Sequence, residues 1–374
     1  MKKAALIFSG IITAIFIFIG AAAPALSAAA AEQYPLVETL FNERNGLPTG
    51  EANDVLQTSD GYIWIGSYGG LIRYDGREFR NYSSDGILPS SSVRMLFEDS
   101  KGRLWIGTND AGVFIWENDT LTKPEGQPSD SFLCVRGFAE NTDGTVYACS
   151  NSGAAEIKDG VMTVYTAPSL EGKTVYSIGV DVYGRLWCAD SSGGCVVLKN
   201  DEELCTLSAD EWFENGETVY SVTGCSDGSI WLGGSENHLA RLTFNGADHG
   251  TGFGEGDINT QIVTFEKVSV INSLRETSGG TVAVSGLHGF AEVREAEIIR
   301  EISQEEGAAS VNSSCIDYEG NLWLASTTLG VVRYTEGCFE PFEQGELSGL
   351  ALNAVAISGG KGYIGLDSGL VITG

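Results

Sequence analysis

Basic residues are scarce in this chain of 374 residues: 22 lysines and arginines stand against 50 acidic residues, a formal net charge of −28. No stretch gathers the cations into a patch, so nucleic acid, which needs a basic footprint, is disfavoured as a partner. There are 3 histidines, and none stands in an HxH or HExxH spacing with another. The 8 cysteines, at positions 134, 149, 188, 195, 205, 225, 315 and 338, include no CxxC pair, which leaves zinc or thioredoxin-like chemistry without support. They sit in apolar runs such as "LWCAD" and "GGCVVL" and read as small buried hydrophobes. Outside the cell a disulfide from Cys188 to a neighbouring strand is allowed, with no assignable partner. No window sustains apolar residues at i, i+3 and i+4, which excludes a helical solenoid.

One long hydrophobic run is present. After Lys2 and Lys3, residues 4–23 are apolar, and Pro24 and a small-residue tract follow. That is the pattern of a secretory signal over residues 1–31, long enough to act as an N-terminal anchor if left uncut. Either way the rest, residues 32–374, is expected outside the cytoplasm. No cysteine precedes Cys134, so a lipoprotein attachment site is missing, and the sequence holds no second membrane segment.

What is abundant is glycine, 49 residues, with 13 tyrosines and 7 tryptophans. They recur in a pattern. "DGYIWIG" (60–66) is followed by "KGRLWIG", "DGTVYAC", "YGRLWCA", "DGSIWLG", "GGTVAVS", "EGNLWLA" and "GKGYIG". The register aromatics are Trp64, Trp105, Tyr147, Trp187, Trp231, Trp323 and Tyr363, with Ala283 the one exception. Their spacing is 41, 42, 40, 44, 52, 40 and 40 residues. An apolar segment precedes each heptad. A second landmark follows it, as in "GGLIRYDG" or "LGVVRYTEG", and after several of these comes a further short strand. Four short strands in about forty residues are the signature of a β-propeller blade.

The turn glycine before each aromatic supplies the positive φ of a tight hairpin. Alternation in "YIWIG" sends Trp64 to one face and Ile63 and Ile65 to the other. With both faces apolar, a blade must be covered on both sides by neighbours. One buried tryptophan, at ~150–250 Å² and about 25 cal/mol per Å², contributes at most roughly 4–6 kcal/mol. The register aromatics are therefore expected as core. Arg73, Arg241 and Arg333 recur at one position of the third strand and read as repeat framework. The fold class is all-β, a propeller of seven or eight four-stranded blades.

"VETLFNERNGLPTG" (37–50) resembles "REFRNYSSDGILPS" (77–90), a fourth strand plus the loop into the next blade. The N-terminal strand is thus expected to close the ring and remove its edges. It pairs either with the eighth repeat, giving eight blades, or with the seventh. In the second case the eighth repeat begins another ring in a longer protein.

The heptads, "GLIRYDG" and "NGLPTGEANDVLQ" together resemble the two-component regulator propeller repeat over residues 36–374, departing from it at "GGTVAVS" and "DGTVYAC". The resemblance implies an extracytoplasmic sensor region of a bacterial membrane receptor. Its relatives continue into a connecting β-domain, a membrane helix, and a histidine kinase or diguanylate cyclase, none of which is in these residues. It also implies a small-molecule or glycan ligand, the receptor's own membrane and output domains as partners, possible dimerisation into a homodimer, and no cofactor.

In a propeller the second-to-third-strand loops and the inter-blade loops share one face. The residues expected there are Tyr68, Asn109, Asp110, Asn151, Asp190, Glu236, Asn237, His288, Thr327 and Asp367. No catalytic or metal-binding residue is expected. Two rivals stand beside the sensor reading. One is a secreted interaction scaffold. The other is a metal-dependent enzyme like the virginiamycin lyases, which share a "DGxxW" repeat, with His238 and His288 as its histidines. The insertion "GADHGTGFGEGD" (246–257) accounts for the 52-residue interval; it reads as a loop, with Asp248, Glu255 and Asp257 as the only calcium candidates.

Overall fold

A computed structural model describes residues 36–337 except 201, 215, 246–252, 254–255, 304 and 306, and residues 352–373 except 360 and 368. The N-terminal apolar run and the calcium candidates Asp248 and Glu255 lie outside the described residues. Among those described, no helix is long and apolar enough to cross a membrane.

Each of the first six repeats forms a four-stranded antiparallel sheet in chain order, the first being Asp54–Gln57, Ile63–Ser67, Gly70–Tyr74 and Phe79–Asn81. The first strands of the seven sheets are the inner ones: Asp54–Gln57, Val93–Glu98, Val135–Glu140, Val175–Val180, Val219–Gly224, Ile271–Glu276 and Val311–Ile316. Each packs on the next, and the seventh packs on the first, so the ring closes at seven blades. The turn glycines that open the second strands, from Gly61 to Gly320, all have φ between 69° and 91°. Only glycine takes that conformation without strain.

Closure comes from the N-terminal strand. Leu36–Phe41 pairs antiparallel with Gly330–Glu336, from Leu36↔Glu336 to Phe41↔Val331, and completes the seventh blade. Phe41 stacks on Trp323 at 5.6 Å and 11°. The alternative of an eight-bladed ring, with this strand on the eighth repeat, is thereby corrected. The eighth repeat forms a three-stranded sheet, Leu352–Ser358, Lys361–Leu366 and Gly369–Thr373, in a unit separate from the ring of 36–337. The described residues 36–337 and 352–373 are thus two bodies. In the smaller one Tyr363 is half-buried, and Val355, Ile357, Leu370 and Ile372 are exposed.

The core of the ring is divided among its blade interfaces. Trp64 joins Val93, Leu96 and Ile106 of the second blade, and Trp105 joins Val135 and Ala148 of the third. Tyr147, Trp187 and Trp231 do the same toward the fourth, fifth and sixth blades. Ala283 packs with Leu322 and Leu324 of the seventh, and Trp323 with Val55, Ile63 and Ile65 of the first. Trp64, Trp105, Trp187, Trp231 and Trp323 are each at most 2% exposed. A small residue two positions on lets the next inner strand approach: a Cβ on Gly107 would stand 2.8 Å from Val135. The framework arginines lie over the same rings, with Arg73, Arg241 and Arg333 Cζ 5.9, 5.8 and 5.5 Å from Trp64, Trp231 and Trp323.

A buried indole needs a partner for its N–H. Six residues upstream, Asp99, Asp181 and Asp317 accept from Trp105, Trp187 and Trp323 at 2.8, 3.0 and 2.7 Å. The same carboxylates accept turn backbone N–H groups, and Asp99 also takes Arg103 Nε at 2.6 Å. Thr58 fills that position for Trp64 at 3.1 Å, and Ser229 serves Trp231 at 2.9 Å. At the closing seam Asp54, fully buried, accepts from Leu96 N, Arg275 Nη2 and Ser313 Oγ at 2.7, 3.1 and 2.5 Å. It thereby ties the first blade to the second, sixth and seventh. All seven described cysteines are free, and burial pushes the Cys149 and Cys188 thiols up.

Desolvation alone would raise the Asp99 carboxyl, but the bonds from Trp105 and Arg103 hold it below its ordinary value. Its stabilising effect is therefore fully present above about pH 4 and is lost as pH falls through the lowered pKa. Asp99→Ala is expected to cost about 3 kcal/mol at neutral pH, because it strands a buried indole N–H and a guanidinium. Urea unfolding of the parent and the variant should show this gap shrinking below about pH 4. A gap that is constant or widens on acidification contradicts this assignment.

Candidate functional site

The inner strands carry an irregularity at their upper ends. In six of the seven, pairing with the second strand slips by one residue immediately after the first position. The residues skipped are Arg94, Arg136, Tyr176, Tyr220, Asn272 and Asn312. In the first blade Asn53 holds the same place, its N–H bonded to Gly66 O at 2.7 Å. Such a bulge re-aims a side chain out of the regular alternation. Here all seven line one cavity, with Tyr68 and Met95, at the mouth of the central channel. The cavity encloses about 300 Å³. A second section of about 280 Å³ continues below it and shares Met95, Arg136, Tyr176, Asn272 and Asn312.

The seven positions are chemically sorted around the ring. Blades two and three contribute arginines, blades four and five tyrosines, and blades six, seven and one asparagines. Tyr176 and Tyr220 meet edge to face at 5.5 Å and 81°, and Arg136 Cζ lies 5.7 Å from the Tyr176 ring centre. Asn53 and Asn272 donate Nδ2 to Val93 O and Val311 O of the following blades at 2.8 and 3.2 Å. Those bonds fix the amides while leaving their carbonyl oxygens to the cavity. Below, Arg275 donates Nη1 to Val55 O and Ser314 O at 2.7 and 3.2 Å, so that cation belongs to the seam.

Of the ten loop residues expected on this face, Tyr68 lines the cavity, 45% exposed. The other loop residues of the ring have partners within it. Asn109 N, Asn151 N and Thr327 N donate to Ser92 O, Cys134 O and Ser310 O, bracing each second-to-third loop on the loop entering its own blade. Cys134 Sγ donates to Asn109 Oδ1, and Ser90 Oγ to Asp110 Oδ1 at 2.6 Å. Asp190 is buried, accepts from Ser192 and lies 3.5 Å from Lys173 Nζ. Glu236 N donates to Glu217 Oε1, and Asn237 Nδ2 to Phe265 O. Asp367 belongs to the separate sheet and accepts from Asn353.

The two histidines of the lyase alternative have different neighbours: His238 Nδ1 lies 2.7 Å from Glu217, and His288 Nδ1 lies 2.6 Å from Ser269 Oγ. Among the described residues no three His, Cys, Asp or Glu side chains are grouped to hold a metal. Sequence reasoning missed the bulge residues. Their signal was present in six blades, where each follows the Val or Ile that opens an inner strand, as in "VRM", "VRG", "VYS", "INS" and "VNS"; Asn53 follows Ala52.

Two stretches, 46–69 and 87–110, match the family model described as two component regulator propeller. No curated protein matches the chain. The fold resembles the extracellular domain of a putative hybrid two component system from B. thetaiotaomicron, at TM-score 0.64 and 19% identity, covering 91% of this chain and 49% of that one. The chain thus spans about half the length of that domain. It also resembles virginiamycin B lyase from Staphylococcus aureus, at TM-score 0.63 and 16% identity over 81% of this chain and 99% of that one. At these identities the likeness is one of fold.

Arg94 and Tyr220 project into the cavity and carry none of the seam contacts. Arg94→Ala and Tyr220→Ala should therefore each lie within about 0.5 kcal/mol of the parent in urea unfolding. A loss above about 2 kcal/mol for either would make that residue structural.

Proposed function

We propose that this chain, which carries two-component regulator propeller repeats, is the extracytoplasmic sensory part of a bacterial transmembrane receptor and binds a soluble ligand at the mouth of its central channel. The observation that carries the reading is the ring of seven equivalent residues, six of them on bulges. They occupy one position in each blade, differ in chemistry from blade to blade, and line one concavity. Framework positions in a repeat protein converge on the same few residues, as the register tryptophans do. Positions that diverge while sharing a cavity are the ones free to be shaped by a ligand. The N-terminal signal pattern fits export. The fold likeness to an extracellular domain of a two-component system supports the same class.

Binding would act by differential affinity for two states of the receptor, transmitted through the output domains of a longer protein. A glycan suits the mouth: tyrosine faces stack on sugar rings and amides meet hydroxyls. A ligand at one hundred times its Kd should stabilise the ring by about 2.7 kcal/mol, a rise in Tm of several degrees. Thermal unfolding with a panel of oligosaccharides should show such a rise for at least one, removed by Tyr68→Ala with Tyr220→Ala. A panel that shifts nothing counts against the glycan. A shift that survives the double variant counts against the mouth.

A further inference from the structure

We propose that the channel mouth selects ligands bearing an oxyanion group (carboxylate, sulfate or phosphate), held between Arg94 and Arg136 beside a hydroxyl-rich ring. This deepens the sensory reading above and rests on it.

The first observation is one of charge. The chain has 50 acidic and 22 basic residues, yet the mouth is lined by two arginines, three tyrosines, three asparagines and a methionine, with no carboxylate. At physiological salt, charges more than about 8 Å away are largely screened, so a bound group meets the local cations and not the net −28.

The second is one of partners. Arg80, Arg103, Arg185, Arg241, Arg275 and Arg300 each contact a carboxylate within 4.0 Å. Arg94 and Arg136, on consecutive blades at the same bulge position, have no such partner among the described residues. Arg136 Nε is moreover buried without a hydrogen-bond acceptor. Two planar forks from neighbouring strands suit the paired oxygens of one oxyanion.

The third is orientation. Tyr176 lies against the Arg136 guanidinium and Tyr220 against Tyr176, which holds that fork in place from one side. The one acid lining the lower section, Glu276, is engaged by Ser226 at 2.9 and 2.6 Å, and Asp54, next in sequence to Asn53, is occupied by Leu96 N, Arg275 and Ser313. Asn53, on the blade beside Arg94, and Asn272, on the sixth blade across the cavity, each donate Nδ2 to a backbone carbonyl and line the same cavity with their amides.

The test uses the full chain in titration calorimetry and thermal unfolding. Three comparisons separate the sources of the anion: trigalacturonate against its methyl ester, a 6-sulfated against an unsulfated N-acetylglucosamine oligomer, and inorganic phosphate against chloride at matched ionic strength. At least one charged form should bind ten times or more tighter than its neutral counterpart. Arg94→Gln and Arg136→Gln should each weaken it about tenfold to a hundredfold. Arg94→Lys with Arg136→Lys should restore part of the preference by keeping the charge without the fork. The proposal is overturned if charged and neutral forms bind alike, if charged-form binding is unchanged in the Arg94→Gln, Arg136→Gln double variant, or if no oxyanion produces an arginine-dependent shift. A neutral oligosaccharide that stabilises parent and double variant equally removes the clamp and leaves the sensory reading standing.

Discussion

Everything in the ring depends on one contact made seven times: the register residue of one blade buried against the inner strand of the next. A single four-stranded sheet with apolar side chains on both faces has no stable existence in water. The indoles of Trp64, Trp105, Trp187, Trp231 and Trp323 are large enough to span the space between sheets. Their N–H groups are satisfied within their own blades, chiefly by side chains six residues upstream. Each blade therefore presents a finished apolar face to its neighbour and no unpaired donor. Because seven interfaces serve seven blades, the last contact, made by Trp323 with the first blade, has no free edge beyond it.

The seam is reinforced differently from the other interfaces. There Phe41 stacks on Trp323, and the buried Asp54 gathers donors from the second, sixth and seventh blades. Other interfaces carry straps at both levels, as where Ser59 and Ser100 in first-turn positions bond Glu98 and Glu140 at the base of the next inner strand and Ser221 Oγ bonds Ile271 O within it. A closed rim and fixed base leave the upper strand ends as the place where variation is tolerated. That is where the bulges sit. Rigidity below and diversity above suit a surface that recognises something.

Much of this was legible from the residues. The forty-residue period, the tryptophan register and the four strands per period follow from composition and alternation, and so does an N-terminal strand that closes the ring. Which repeat it closes on was not legible, because any edge with free N–H and C=O groups accepts an alternating strand. The seventh blade is selected by the Phe41–Trp323 stack, a three-dimensional match. The mouth was legible only in part. Polar loop residues such as Asp110 and Asp190 read as ligand contacts, and in the structure they accept from neighbouring hydroxyl and backbone groups. The bulge residues were hidden because a register slip reverses the face that plain alternation assigns. Arg136 and Tyr176 therefore read as ordinary strand positions.

The central claim, that inter-blade burial makes the seven blades one cooperative body, is tested most directly by native-state hydrogen exchange on Trp105→Ala. The account predicts that amide protection falls by a similar amount in all seven inner strands, because losing one interface lowers the free energy of opening the whole ring. Protection lost only in the second and third blades, with the fifth and sixth unchanged, would mean an array of independently stable neighbours and would contradict it.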